Sequence, residues 1–465
     1  MIFLHLSAAH SCLRMARIGV VAGMAIGVAL LSGCAQYQPI RVPTQPDYAQ
    51  RPNSDQVSGK PLTLAEIRQR VVRDNADLKA ARLALAVQDA DVAQAAAPPD
   101  PALNLALDHP LNGAGLINAL NQSLSVDLSA LVTRGARLDE ARANRLRTRL
   151  GLSWQVLTTE AMAVNAAIEL VSVRQQLALL DADAQAVDAR LARSRQALAK
   201  GFITQDVVSA EVVRSADLAR QRDDLRLQRD TLRQQLNALM GLAPATRWPF
   251  SDRFPAFATP SDASVREALS TLSTHRADLL ALRAGIQRAD AAYRAAILRQ
   301  FPGLTLGLSR ANDTSNVQTA GFSIGLTLPV FGGAQAEVAR TRATRARMVA
   351  EFQARIDRAD ADVARVRDKL ENLRRRLTQI DARLPILMRT AAHAQTALDA
   401  GYFSTGSYLA VRASLTAEQM NRIRTRQAIA QTELSLATLL GQSPSLMGAE
   451  PESPSSQSSI QRTQP

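Results

Sequence analysis

Side chains able to do covalent or metal chemistry are few in this sequence and poorly placed for it. Two cysteines, Cys12 and Cys34, and five histidines occur in 465 residues. His109, His275 and His393 fall on what read as different elements, so surface or packing roles fit them better than ligation. No nucleophile stands beside a base, no glycine-rich loop suits a phosphate, and no His/Cys spacing suits a metal. The chain therefore reads as a non-enzyme, with no catalytic residue, no metal ligand and no cofactor. A turn phrase does recur: residues 197–205 read ALAKGFITQ and residues 397–405 read ALDAGYFST. A glycine there suits a tight reversal between antiparallel helices, because it tolerates positive φ.

Cys34 is the exception in its setting. Met15-Ala16-Arg17 is basic, Ile18 to Leu30 is apolar, and Leu31-Ser32-Gly33-Cys34 comes next. This is the order of a secretory signal, with an apolar run too short to remain as a membrane span. Its end resembles a bacterial lipobox, which implies cleavage before Cys34 and attachment of diacylglycerol and palmitate there. Ala35 in place of Asp implies export to the outer membrane. Residues 1–33 are thus expected to be removed, with Met1 to Arg14 an upstream leader or with translation starting at Met15. Once Cys34 is acylated, no thiol is left for a disulfide or a thiolate cluster. Residues 34–60 read as a lipidated linker, and residues 444–465, rich in Ser, Pro and Gln, as a disordered tail.

The elements between those ends are mostly helical. The composition is 46 % hydrophobic but only 4 % aromatic, poor in the rings that usually fill globular cores. The net charge of +13 admits a nucleic-acid or membrane-surface partner, but a solvated helix face accounts for it more simply. No proline lies between Leu111 and Ala243. Leu170, Val173, Leu177, Leu180, Ala184, Val187 and Leu191 alternate spacings of three and four, as do Val349, Phe352, Ile356, Ala359, Val363, Val366, Leu370, Leu373, Leu377 and Ile380. Such spacing predicts long coiled-coil helices. A second stripe through Trp154, Leu157, Ala161, Val164 and Ile168 predicts a helix with neighbours on two sides. Pro385 should remove one hydrogen bond and bend the second helix.

Four short stretches alternate with period two. Leu103, Leu105 and Leu107 alternate with Asn104 and Asp108, and Leu124, Val126 and Leu128 alternate with Ser and Asp. Leu304, Leu306 and Leu308, then Phe322, Ile324 and Leu326, alternate with Thr, Ser and Gly. These predict strands with one apolar and one wet face, of bilayer-crossing length. Four strands cannot close a membrane barrel, so membrane placement requires several copies of the chain.

The two halves match. Pro101-Ala-Leu-Asn-Leu matches Pro302-Gly-Leu-Thr-Leu at an offset of 201, Ala141-Arg142 matches Ala339-Arg340 at 198, and Leu239-Met-Gly matches Leu439-Leu-Gly at 200. This predicts an internal repeat. Residues 61–243 and 261–443 are the copies, 244–260 is a linker, and each copy reads helix, strand, strand, long helix, glycine turn, helix. Thr63 and Glu66 suit a capping box at the start of the first copy.

Taken together, Leu62-Thr-Leu-Ala-Glu-Ile, Asn75-Ala-Asp-Leu-Lys-Ala-Ala-Arg, Leu326-Thr-Leu-Pro-Val-Phe-Gly-Gly and the paired turns resemble the TolC-type outer-membrane efflux proteins. The resemblance implies a mainly α fold with membrane β. In it a homotrimer forms an α-barrel of long helices, and each chain gives four strands to a shared twelve-strand outer-membrane barrel. It implies a passive exit duct for drugs, metals or other small molecules, extending into the periplasm. The duct would meet a periplasmic adaptor and, through it, an inner-membrane pump of the resistance-nodulation-division or ABC type. Gly201, Thr204 and Asp206, with Gly401 and Ser404, would be the adaptor-docking tips, and the twelve leucine-row residues above would face lipid. Asp206 stands one residue early for the family pattern. Phe403 replaces a basic residue, and Ser407 and Ala410 offer no acidic ring. A periplasmic adaptor or a structural coiled-coil lipoprotein are the alternatives.

Overall fold

The computed structural model describes residues 37–40, 42–50, 61–113, 116–257 and 260–442. The signal segment, Cys34 and the 444–465 tail lie outside the described residues. The chain divides into two units, 1–52 and 53–465. In the first, Asp47–Gln50 form one short 3-10 turn. The second unit holds everything else.

Its elements come in two series of the same order. The first is α1 (Leu64–Asp74), α2 (Ala76–Ala96), β1 (Ala102–Asp108), β2 (Ala119–Asp127), α3 (Leu128–Ala199) and α4 (Gln205–Leu239). The second is α5 (Asp262–His275), α6 (Ala277–Leu298), β3 (Gly303–Asn312), β4 (Gln318–Thr327), α7 (Gly333–Asp399) and α8 (Thr405–Leu439). Each series opens with two helices where the sequence suggested one. The break in the first is Asn75, which closes α1 at ψ 128° and caps α2 by accepting a hydrogen bond from the Leu78 amide. Arg276 makes the same break at ψ 123° between α5 and α6. Thr63 and Glu66 form the expected capping box, and Ser261 caps α5.

Leu128, expected on the second strand, is instead the first residue of α3. Asp127 accepts from the Ser129 amide and so starts the helix at the last strand residue. Side-chain capping by Asp outweighs continued alternation there. Helix α7 runs on through Pro385; the surrounding turns carry the helix past the one missing donor.

The stripes of α3 pack as two seams. Leu170, Val173, Leu177, Leu180, Ala184 and Val187 bury against Leu218, Leu225, Leu232 and Leu236 of α4 and Ile67, Val71 and Leu78 of α1–α2. Val164 and Ile168 bury on another side against Ala430 and Leu434 of α8. This explains why part of α3 is apolar enough to cross a membrane by composition although it is mostly buried among helices. The seam of α7 is looser, with Ala359, Val363, Leu370 and Ile380 buried and Val349 exposed. The expected linker is packed too: Trp248, Phe250 and Phe257 are buried, and Leu62 pairs with Phe250 in a parallel bridge.

The two helix breaks are also staples. Asn75 donates through Nδ2 to the Leu239 carbonyl (3.1 Å), and Arg276 donates through Nη1 to the Leu439 carbonyl (3.0 Å). Each ties the start of a series to its last helix, at equivalent positions. Arg276, 1 % exposed, also binds both oxygens of Asp278 (2.6 and 2.8 Å) and lies over the Trp154 ring. Burial raises the Asp278 pKa, but the hydrogen bonds and charges of Arg276 and Arg355 outweigh it and hold the group below its ordinary 3.8.

Two outcomes are expected. Asn75→Ala loses a cap and a tertiary hydrogen bond, at about 1–2 kcal/mol in denaturant unfolding. Because the folded-state pKa of Asp278 is depressed, its contribution is fully present above its unfolded pKa and is lost as pH falls through the folded one. The stability gap between wild type and Asp278→Asn should therefore narrow as pH drops below about 4, measured by thermal melting across pH.

Candidate functional site

The strands form one antiparallel sheet in the order β1-β2-β3-β4. Its register sets which residues share a face. Leu103, Leu124, Leu308 and Phe322 stand opposite one another in one row, Val126, Leu306 and Ile324 in the next, and Leu304 and Leu326 beyond them. Leu105 and Leu107 continue the same face on β1, in rows that run on through Gln122, Arg310 and Ala320 and through Leu120, Asn312 and Gln318. On the other face, Asn104, Ser123, Ser309 and Gly321 share a row, as do Ser125, Gly307 and Ser323. Glycine at 307 and 321 leaves room for the neighbouring serines: a Cβ at Gly307 would lie 2.5 Å from Ser323 Oγ. Leu103, Leu105, Leu107, Leu124, Leu308, Phe322, Ile324 and Leu326 are exposed in the single chain.

The repeated turns close the two hairpins α3–α4 and α7–α8. Gly201 and Gly401 adopt φ of 73° and 80°. At each, the glycine amide and the one after it bond back into the preceding helix: Gly201 to Leu198 and Phe202 to Ala197, Gly401 to Leu398 and Tyr402 to Ala397. This is the Schellman termination, and Gly241 and Gly441 use it at the other ends of α4 and α8. The glycines therefore specify reversal alone. The two turns differ in the residues after the glycine. Ser404 caps α8 by accepting from the Ser407 amide, whereas Thr204 makes no side-chain cap. Instead a hydrogen bond from Thr204 lowers the pKa of exposed Asp206. Phe202 and Tyr402 stand out at 77 % and 88 % exposed, while Phe403 turns inward toward Tyr408 and Leu409.

The structure brings the turns side by side. Ala210 of α4 packs with Ala394, Tyr408 and Leu409, and a groove between α4 and α8 is lined by Val213, Arg214, Gly406 and Leu409. Behind it, α3 faces α8 through a ladder of polar side chains seven residues apart. Glu169 accepts from Gln431 (2.9 Å), Gln176 from Arg424 (3.1 Å), and Arg190 lies 5.1 Å over the Tyr408 ring. Between them Asp183, 3 % exposed, takes Arg214 (2.7 Å), Arg412 (2.9 Å) and Thr416 (3.1 Å). Each hairpin also carries an equivalent ion pair: Asp181–Arg222 (2.6 Å) in the first and Asp381–Arg422 (2.5 Å) in the second, 200 residues on. Sequence reasoning missed this ladder, although its seven-residue spacing beside the leucine seam was a readable signal.

Known proteins share this architecture. Residues 268–442 match the family model described as outer membrane efflux protein. The chain's fold is that of solved outer-membrane channels. CusC, whose crystal structures concern folding and transmembrane channel formation, is 17 % identical with a TM-score of 0.71, covering 88 % of this chain and 99 % of its own. The outer membrane protein VceC from Vibrio cholerae is 18 % identical with a TM-score of 0.68, covering 82 % and 96 %. The Campylobacter jejuni CmeC outer membrane channel is 13 % identical with a TM-score of 0.71, covering 92 % and 98 %. Comparison with curated proteins returns no match. At these identities the likeness is one of fold, and that fold extends over both series of elements.

Removing the Asp183 carboxylate leaves two guanidinium groups without their shared partner. Asp183→Ala should cost about 3–5 kcal/mol, read by chemical denaturation. A double-mutant cycle with Arg412→Ala should return a coupling above about 1 kcal/mol; additive effects would show that the ladder does not join the hairpins.

Proposed function

We propose that this chain is the outer-membrane channel of a tripartite efflux system, a passive exit duct across periplasm and outer membrane. The observation that carries the reading is the sheet: four strands with one apolar exposed face, one small polar face and two edges unpaired among the described residues. Lipid tolerates no open edge, so three chains would share one barrel, apolar rows outward and Ser, Thr, Gly and Asn rows lining the water path. Helix α3, with 72 residues, would reach roughly 108 Å into the periplasm at about 1.5 Å per residue. Cys34 would carry the lipid anchor. The adjacent turns around Gly201, Thr204, Asp206, Gly401 and Ser404 would meet the adaptor, and through it a pump of the resistance-nodulation-division or ABC type. The pump would select the cargo. A periplasmic adaptor or structural lipoprotein has no use for such a sheet, which favours the duct over both.

A strain lacking the gene should become sensitive to metals, dyes or antibiotics, and the detergent-extracted protein should crosslink as a trimer. Unchanged sensitivity with a clean monomer would overturn the reading. Leu308→Arg should impair membrane assembly by about 2–4 kcal/mol per chain if it lies near the bilayer midplane. Thr305→Arg should assemble and change ion selectivity in planar bilayers, because its side chain lies on the wet face.

A further inference from the structure

Away from the sheet and the turns, a cleft of about 300 Å³ opens where the 244–257 segment crosses α3 and α4. Arg174, Arg229, Arg233 and Arg247 line it, over Trp248 and Phe250. Two carboxylates answer these four guanidinium groups. Asp252 pairs with Arg174 (2.9 Å), and Asp230 pairs with Arg229 (2.9 Å) and Arg233 (3.3 Å). Arg247 is exposed and makes no ion pair or hydrogen bond among the described residues. The Nε of Arg233 is shut off from solvent, with no acceptor among the described residues. An excess of two positive charges in a cleft walled by two aromatic rings favours an anion.

In the second series the corresponding pair of positions is neutral. There Arg374 stands at the position of Arg174, and Glu433, at the position of Arg233, pairs with it at 2.7 Å. The first series has an arginine where the second has the glutamate. Ile429 and Ala430 replace Arg229 and Asp230. Asp230 itself is held below the ordinary carboxylate range, first by the hydrogen bond from Arg229, against partial desolvation, with Arg233 and Arg247 adding to the field.

We propose that this cleft binds a soluble, doubly charged oxyanion of the phosphate or phosphomonoester class. Guanidinium forks suit its paired oxygens. Leu170 on the cleft wall is 42 residues beyond Leu128, roughly 63 Å along the helix at about 1.5 Å per residue. A headgroup of the membrane holding the sheet is too far away to be the source. That distance uses the channel reading, but the binding test does not.

The test is calorimetric titration of full-length protein in detergent with sodium phosphate at pH 7.5 in low chloride. Wild type should show saturable binding. Arg233→Glu, which reproduces the arrangement of the second series, should weaken it about tenfold or more. The exposed variant Arg247→Gln should weaken it several-fold, and both should keep wild-type circular dichroism and melting. No saturable phosphate heat in the folded wild type would overturn the proposal, as would equal affinity in both folded variants. Retention on phosphatidylglycerol vesicles that Arg233→Glu abolishes, with no heat from phosphate, would overturn the soluble source. None of these readouts involves transport, so their failure is separate from failure of the duct.

Discussion

The structure depends first on the unfinished hydrogen bonding of its sheet. Strands β1 and β4 each have one edge with no strand partner among the described residues, beside an apolar face that a soluble protein would cover. A polar backbone edge and a leucine face cannot both be satisfied by water or both by lipid. Only further strands can complete the edges while leaving the face apolar. The rest of the fold is compatible with that demand: helices run away from the same end of every strand, so neighbouring copies could join at the sheet without obstructing one another.

A second constraint is how two nearly equal halves find one arrangement. The apolar stripes of α3 would accept any helix of matching pitch, and two series of like helices offer a wrong partner for each right one. Charge resolves this. The paired Asp181–Arg222 and Asp381–Arg422 bridges sit inside each hairpin, whereas Asp183 reaches across to Arg412 and Thr416 of the other. A buried ion pair adds little net stability over well-packed apolar groups. Its value here is register, the use best documented for polar groups in coiled coils.

The long helices, the four strands and their order were legible because each signal was repeated along many residues and then again in the other half. The reversals at Gly201 and Gly401 were legible for the same reason. What escaped was local or non-periodic. Asn75 and Arg276 split the opening helices by capping and by reaching a distant carbonyl, which no pattern within the helix reveals. Asp127 ended a strand one residue before its alternation did, because a side-chain cap competes with a pleat over a single residue. The stretch 244–260 reads as a linker between the two copies. Its aromatic residues were the sign that it packs, and the four arginines of the cleft come from three separate stretches of chain.

The two strand-to-helix junctions differ in slack. Asp127 is at once the last residue of β2 and the cap of α3, so no residue lies between strand and helix. Between β4 and α7 there are five, Leu328 to Gly332, ending in a left-handed glycine at φ 73°. Torque applied to α3 therefore passes directly into the tilt of β2, while the same torque on α7 can be taken up by rotation about five residues. A chain built from two like halves thus has one stiff coupling and one compliant one, and motion at the distant turns reaches the sheet chiefly through the first half.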